Sequence, residues 1–399
     1  MLLAIYLPAV LLAICDGLLI PTLPVFAESF GVSIGWVGLV LAAEGIGTLF
    51  ADVPAGHVVN GMRARPAMIL GMGLITAAAL ASALAPTLAW LFGFRFLSGV
   101  GLSVWNVSRH VFLTSATSSV NRGRTMGVFG GLTRLGGFIG PASGGVLATY
   151  FGLRSPFVLY VLIGVGAMLL LALIKLPAGM AEPRRRPEDG PLERAARGKA
   201  LGEARGRLLN AGGAQLLGQA VRAGRRVLVP LYATQVLGLD VGVAGVIVSV
   251  SNLADMSLFY PAGLIMDRLG RKFAIVPSFI IQAVGMALVP FSGGAVGLGA
   301  AAVLMGIGNG ISAGTMLTLG ADLAPRGAVA AFLGRWRLIG DAGYVAGPVV
   351  VGFVGQALGL GPSALAVAAI GGGTAAWFAF LVPETLKRKD GAGGVTPPR

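Results

Sequence analysis

The chain has 399 residues, 55% of them hydrophobic and 12% charged, with a mean hydropathy of +0.84 and a formal net charge of +14. No soluble globular surface normally tolerates that composition, so an integral membrane protein is expected, and the long apolar runs favour helices over the short alternating segments of a membrane β-barrel. The single cysteine, Cys15, excludes an internal disulfide framework and a multi-cysteine metal centre.

Crossing a hydrocarbon core of ~30 Å takes roughly 20 apolar residues, and runs of that length recur along the chain. They lie near 2–24, 34–59, 66–86, 88–109, 126–148, 154–176, 208–232, 241–266, 272–291, 296–318, 330–354 and 363–384. The expected fold is therefore all-α, with twelve transmembrane helices. The first run starts at Leu2 without a basic n-region, contains Asp16, and places Pro21 and Pro24 where a cleavage site would fall. It is expected to be a retained helix rather than a signal peptide.

With the N-terminus inside, the basic residues fall on one side: Arg63 and Arg65, Arg122 and Arg124, a cluster over 175–207, Arg268, Arg271 and Lys272, Arg326, and Lys387 to Lys389. Arg154 alone falls on the other. The positive-inside rule then puts both termini in the cytoplasm and the chain in a cell inner (plasma) membrane. The net charge is accounted for by loops beside anionic lipid, so nucleic acid is not an expected partner. Residues 177–207 break the apolar pattern with Arg184 to Arg186 and ten further charges. They read as a cytoplasmic linker whose later part, from Leu192 to Leu208, is either a surface helix on lipid or a solvated tether.

An internal repeat organises the spans. At one ungapped offset of 207, Pro54-Ala55-Gly56 becomes Pro261-Ala262-Gly263, Gly99 and Gly101 become Gly306 and Gly308, and Gly140-Pro141 becomes Gly347-Pro348. Two six-helix bundles are expected, 1–176 and 208–386, with a linker at 177–207 and a tail at 387–399. Around Gly140, the run GGFIGPASGG predicts a bent, close-packed helix, because proline removes one ladder hydrogen bond and glycines admit a neighbour.

Charges within spans cost about 2.5–3.5 kcal/mol each at mid-helix, so twelve of them imply a polar interior. They are Asp16, Glu44, Asp52, Asp255 and Asp341 against Arg95, Arg134, Arg222, Arg225, Arg226, Arg335 and Arg337. Gln215, Gln219, Arg222 and Arg226 form one helical stripe, as do Arg95, Gly99, Ser103, Asn106 and His110. Asp16 is the first choice for a proton-binding carboxylate, with Glu44 next; each is alternatively a static partner of Arg95 or Arg134. Arg134 and Asp341 are related by the offset of 207 and are expected to pair in one conformation and separate in another. Trp105, Trp336 and Tyr344 lie on different spans with no spacing that joins them into a pocket.

The run GLIMDRLGRK, Gly263 to Lys272, matches the loop signature GxxxD[RK]xGR[RK] of the major facilitator superfamily at every specified position. The first copy, GHVVNGMRAR, departs from it, with Asn60 for the acid and Arg63 for a glycine. Arg95 followed by Gly99 and Gly101 resembles the fourth-helix signature, with Ser98 in place of its glutamine. GGFIGPASGG resembles the fifth-helix signature of the twelve-span drug:proton antiporters, and the PET at Pro383 to Thr385 the end of the last helix.

The resemblance implies the major facilitator fold and alternating access. It implies a gate latch at Asp267, Arg268, Arg271 and Lys272, and a cavity lined by the first and seventh helices, with Asp16, Glu44, Arg95, Asn106, Gln215, Gln219, Arg222 and Asp255 as candidates. Gly140, Pro141, Gly347 and Pro348 then join Arg134 and Asp341 at the interface. The expected function is proton-coupled efflux of a small amphipathic compound by a monomer in the lipid bilayer, with no cofactor and no metal. The alternatives are proton-coupled uptake of an organic anion and, behind it, a lipid flippase. An enzyme is not expected, since His57 and His110 are the only histidines and no nucleophile-base or metal-ligand spacing occurs.

Overall fold

The computed structural model describes residues 3–116, 122–174 and 191–386, so Arg184 to Arg186 and the tail from 387 lie outside the described residues. The first repeat forms α1 (Leu3–Glu28), α2 (Ile34–Asn60), α3 (Ala64–Ala83), α4 (Leu88–Ala116), α5 (Arg122–Phe151) and α6 (Ser155–Leu173). A short helix, α7 (Pro191–Glu203), leads into the second repeat. That repeat forms α8 (Arg205–Leu231), α9 (Val241–Ser257), α10 (Phe259–Arg268), α11 (Arg271–Leu288), α12 (Ala295–Ile311), α13 (Thr315–Leu323), α14 (Val329–Leu358) and α15 (Leu360–Phe380). No β-strand occurs among the described residues.

Nine of these stretches are long and apolar enough to cross a membrane, and ten when α9 and α10, bent by 40° at Leu258, count as one. α12 and α13 are likewise one stretch interrupted at 312–314, where Gly314 takes φ 77°, a left-handed conformation open to glycine at little cost. α5 and α8 are as long as the others but more polar: α8 alone carries Arg222, Arg225 and Arg226. The packing explains how they tolerate it. α5 is sandwiched between α1 and α9, and α8 packs on α14 and α15, so neighbouring helices meet their polar faces.

Within the first repeat α1 packs on α5 and α6, α2 on α4, and α3 on α4 and α6; within the second, α11 packs on α12 and α15, and α12 on α9. The repeats meet along two seams, α5 against α9 and α2 against α14, with α1 touching α8 and α9 between them. A buried core of Leu18, Met68, Met72, Ile75, Trp105 and Phe157 fills the first repeat, and Phe279, Met305, Phe332 and Phe378 the second. Outward faces present Trp36, Trp90, Tyr150, Phe151, Tyr260 and Phe291, large apolar side chains that suit lipid.

Candidate substrate cavity

A cavity of about 500 Å³ lies between the repeats, within the size range of small-molecule sites. Its first wall carries Asp16 from α1, Glu44 from α2, and Arg95, Trp105, Asn106 and Arg109 from α4. The second carries Arg226 from α8 and Arg337, Asp341 and Tyr344 from α14. Asp16, Glu44, Arg95 and Asn106 are thus brought together, as expected of cavity residues.

Two carboxylates of the wall are held by arginines. Arg95 pairs with Glu44, which also accepts from Ser98 Oγ at 3.2 Å. Arg337 pairs with Asp341 at 3.3 Å and lies 3.7 Å from Asp52, whose other partner is Ser103 at 2.5 Å. Asp16 instead accepts a single hydrogen bond, from the buried Tyr160 hydroxyl at 3.3 Å, and presents an exposed side chain to the cavity. Across from it, Arg226 donates to the Tyr344 hydroxyl at 3.0 Å and lies over that ring, also with an exposed side chain.

Four expected cavity residues lie elsewhere. Gln215 is buried and donates to the Trp336 carbonyl at 3.2 Å, and Gln219 faces the same helix beside Gly340. Arg222 donates to Ser312 Oγ at 2.7 Å and stacks over Phe279, inside the second repeat. The polar stripe of α8 is real, but the glycines of α14 (Gly340, Gly343, Gly347) let that helix press onto it, so only Arg226 at its far end reaches the cavity. Asp255, the fourth, sits in the α5–α9 seam, 2.7 Å from Arg134. The expected Arg134–Asp341 pair is not formed here, because α5 meets α9 and α14 meets α2, which separates the two side chains onto different seams.

The seams follow the repeat register. On one, a Cβ at Gly245 would strike the Pro141 carbonyl and Gly145; on the other, a Cβ at Gly38 would strike the Pro348 carbonyl and Gly352, and every residue of the first set stands 207 from its counterpart. At one end of each, Thr149 bonds Asp240, and Ser33 donates to Gln356 at 2.9 Å. The Thr149 hydroxyl and the Gly242 N–H hold the Asp240 carboxyl below its ordinary range. These contacts lie at the end opposite the basic loops, and the cavity lies on the basic side of them.

Pro141 has no N–H, so the Gly137 carbonyl one turn earlier loses its helical donor. Asn252 of α9 supplies a replacement at 2.7 Å. One residue on, Ser249 Oγ accepts from Ala142 N at 2.9 Å and donates to the Phe138 carbonyl at 2.6 Å, inserting itself into the ladder of α5. The helix ladder interrupted by Pro141 is thus completed by side chains of the other repeat.

At the basic end, Asp267 is 70% exposed and only 3.9 Å from Arg271. The strong bonds of the loop go elsewhere: Arg271 Nε donates to Asp322 at 2.9 Å, and Glu384 accepts from the Arg271 and Lys272 backbone N–H groups at 3.0 and 2.9 Å. Burial pushes the Glu384 carboxyl up, but the N–H groups of Leu386, Lys272, Arg271 and Thr385 outweigh it and hold the group below its ordinary range. Gly270, at φ 125°, makes the turn that aims those N–H groups. In this conformation the loop signature and the PET segment therefore clasp α11, α13 and α15 of one repeat, and no bond from Asp267 crosses to the other.

The major facilitator superfamily profile matches residues 5–222 and 213–398. The chain belongs to the major facilitator superfamily. A multi-drug resistance efflux pump, the PmrA homolog of Lactococcus lactis, is 25% identical over 357 residues, 84% of this chain and 83% of its own length. Among solved structures, a POT family transporter with a bound thioalcohol-conjugated peptide superposes with a TM-score of 0.79 at 11% identity, covering 95% of both chains. The human organic anion transporter MFSD10 (TETRAN) gives 0.66 at 17%, covering 94% of this chain and 98% of its own. At those identities the structural likeness speaks for fold alone. The chain is a multi-pass membrane transporter of this superfamily.

Several site residues escaped the sequence. Tyr160 stands in an apolar run with nothing to tie it to Asp16, and Ser249 and Asn252 read as isolated small polar residues. Their i, i+3 spacing, matched to the Gly137–Ala142 turn around Pro141 on another helix, is a signal only once the α5–α9 contact is known.

Proposed function

We propose that the chain is a proton-coupled antiporter that exports a small amphipathic compound across the cell membrane. Counting α5 and α8 as spans with the other ten gives twelve, in two six-helix bundles at 1–176 and 208–386, with both termini cytoplasmic. The cavity then faces the cytoplasm, and the seams at Gly245 and Gly38 close the outer side. Rocking the bundles about the central cavity would open those seams and expose the same residues outward.

The observation that carries the reading is Asp16: a carboxylate at a cavity wall, in the middle of a span, with a neutral phenol and no arginine as its hydrogen-bond partner. A carboxylate so placed can exchange a proton with cavity water, whereas Glu44 is occupied by Arg95. Protonation from the outer side and release to the cytoplasm would drive export, at ~2.3 kcal/mol per charge for each 100 mV. No cofactor enters this scheme, and a monomer in the lipid bilayer suffices.

The test is transport in proteoliposomes with an imposed pH gradient, screening dyes and antibiotics. The expected result is substrate movement against proton flow that Asp16→Asn uncouples from the gradient. Gradient-driven transport unchanged in Asp16→Asn would remove the proton role from this residue. Substrate movement in the same direction as protons would favour uptake, the second reading, which four cavity arginines against three carboxylates also suit.

A further inference from the structure

Seven charged side chains line the cavity: Asp16, Glu44, Arg95, Arg109, Arg226, Arg337 and Asp341. Glu44 with Arg95 and Asp341 with Arg337 neutralise each other on their own walls. Of the seven, Asp16 and Arg226 are the two exposed residues that hold no ion pair. They face each other from α1 and α8, the first helix of each repeat, and Arg226 stands within one helical turn of Ala223, the counterpart of Asp16 at the offset of 207.

Each holds only a phenol, Tyr160 for the carboxylate and Tyr344 for the guanidinium. The two lie within electrostatic reach of one another yet form no ion pair. Two opposite charges left apart on facing walls form a dipolar receptor. A ligand with one charge answers one wall and leaves the other charge to lose its water without compensation; a ligand with both answers the two together.

We propose that the substrate is a zwitterion, its ammonium group on Asp16 and its anionic group on Arg226, with the apolar body against Trp105, Leu19 and Val227. The inference rests on reading this cavity as the substrate site, and it goes beyond the efflux proposal by fixing the charge pattern of the cargo. The ammonium and the proton then compete for one carboxylate, so that loading one releases the other. A soluble amphipathic amino acid and a lipid with a zwitterionic headgroup share this chemistry.

The test is equilibrium binding to the full-length protein in detergent, followed by intrinsic tryptophan fluorescence because Trp105 lines the site. The soluble probes are 2-aminooctanoate and 8-aminooctanoate, which hold their charges close together and far apart, with heptylamine and octanoate as single-charge controls. The lipid arm compares lysophosphatidylethanolamine with its N-acetylated form.

A bond to a charged group is worth about 1.5–3 kcal/mol, so at least one zwitterion is expected to bind about tenfold or more tighter than its single-charge counterparts. Asp16→Asn is expected to reduce that zwitterion to the affinity of octanoate, and Arg226→Gln to that of heptylamine. A preference confined to lysophosphatidylethanolamine over its N-acetyl form supports the charge pattern and assigns the source to lipid.

Heptylamine or octanoate binding as tightly as every zwitterion would overturn the proposal, as would Arg226→Gln leaving the zwitterion's affinity unchanged. The control comparison on the unsubstituted protein stands even where a variant fails to fold. Failure of pH-gradient coupling in proteoliposomes would sink the antiport reading while leaving this binding pattern intact, so the two claims fail separately.

Discussion

The two seams between the repeats occupy equivalent positions and are built from different chemistry. At the end away from the basic loops they match: Gly245 on Pro141 and Gly145 corresponds to Gly38 on Pro348 and Gly352. Deeper in, they part. The α5–α9 seam is hydrogen-bonded along its length through Ser249 and Asn252, and ends in the Arg134–Asp255 pair with Arg134 also 5.0 Å from the Phe259 ring. The counterparts of Ser249 and Asn252 on the other seam are Ala42 and Gly45, which offer no donor to α14. Where that seam has the Arg337–Asp52 pair, the first has Gly130 against Phe259.

The glycine contacts thus set the register, and the polar contacts decide how firmly each seam holds. During rocking, the α5–α9 seam is expected to act as the tighter hinge and the α2–α14 seam as the looser door. Arg134→Gln would break this comparison most severely. It leaves Asp255 largely buried without its cation, and the loss is expected toward the low end of ~3–5 kcal/mol because Arg134 is only partly buried. Thermal unfolding in detergent measures it; a shift no larger than that of Arg337→Gln would show the seams to be equivalent. Reversing the pair, with Arg134→Asp and Asp255→Arg together, is expected to restore part of the loss.

Asn252→Leu comes next. It strips the donor from the Gly137 carbonyl that Pro141 has already deprived of its helical partner, at about 1–3 kcal/mol for a buried unsatisfied acceptor. The prediction has a counterpart within the molecule: Gly45→Asn, which puts the same donor on the other seam, brings its Cβ within 2.8 Å of Val345 Cγ2, so it is expected to slow transport at some cost in stability as that side chain gives way. Equal transport rates in Gly45→Asn and the unsubstituted protein would argue that door opening does not limit turnover.

Much of this fold was legible because its signals are long or repeated. Apolar runs of membrane length survive soft boundaries, and a shared offset of 207 across three landmarks needs no knowledge of packing. The run at Gly136 to Gly145 could be read as close-packed from its glycines alone. What could not be read was which helix would press against it. Arg134 and Asp341 are equivalent by repeat, and equivalence suggested a pair in one conformation; in this one the repeat axis sends equivalent residues to opposite seams, where Asp255 and Arg337 answer them. The α8 stripe failed for a related reason. A polar face shows that a helix avoids lipid, but the glycines at Gly340, Gly343 and Gly347 decide that it buries against α14 before it reaches the cavity. Asp16 does lie on the cavity wall, because one carboxylate in an apolar helix has few other places to go.

Arg337→Gln should have a smaller effect than either change to the hinge. It frees Asp52 and Asp341, but Arg337 is 40% exposed and Asp52 keeps Ser103 as a partner, so the stability change belongs with exposed ion pairs, about 0.2–1 kcal/mol. Its visible consequence is expected in conformation: a cysteine at the Ser33 end should label more slowly or more quickly with a membrane-impermeant reagent as the door's bias shifts. No change in labelling would leave the pair without a gating part.

The smallest effect is expected at the clasp on the basic end, where the two repeats can be compared again. Lys272 Nζ donates to the Ala379 carbonyl at 2.8 Å, and its counterpart Arg65 donates through Nε to Leu171 at 2.9 Å, so each repeat ties the end of its last helix with the base that follows its second. The second repeat adds Glu384, whose carboxyl sits below its ordinary range on backbone N–H groups. A lowered value in the folded state means stability present above the unfolded value of about 4.5 and lost as pH falls through the folded one. Glu384→Gln is therefore expected to flatten the acid limb of the stability profile below about 4.5 while leaving neutral pH nearly unchanged, since the amide oxygen still accepts some of those bonds. Thermal midpoints from pH 7 down to 3.5 would check it. An acid limb as steep in Glu384→Gln as in the unsubstituted chain would place the titrating group elsewhere and reduce the clasp to a neutral cap.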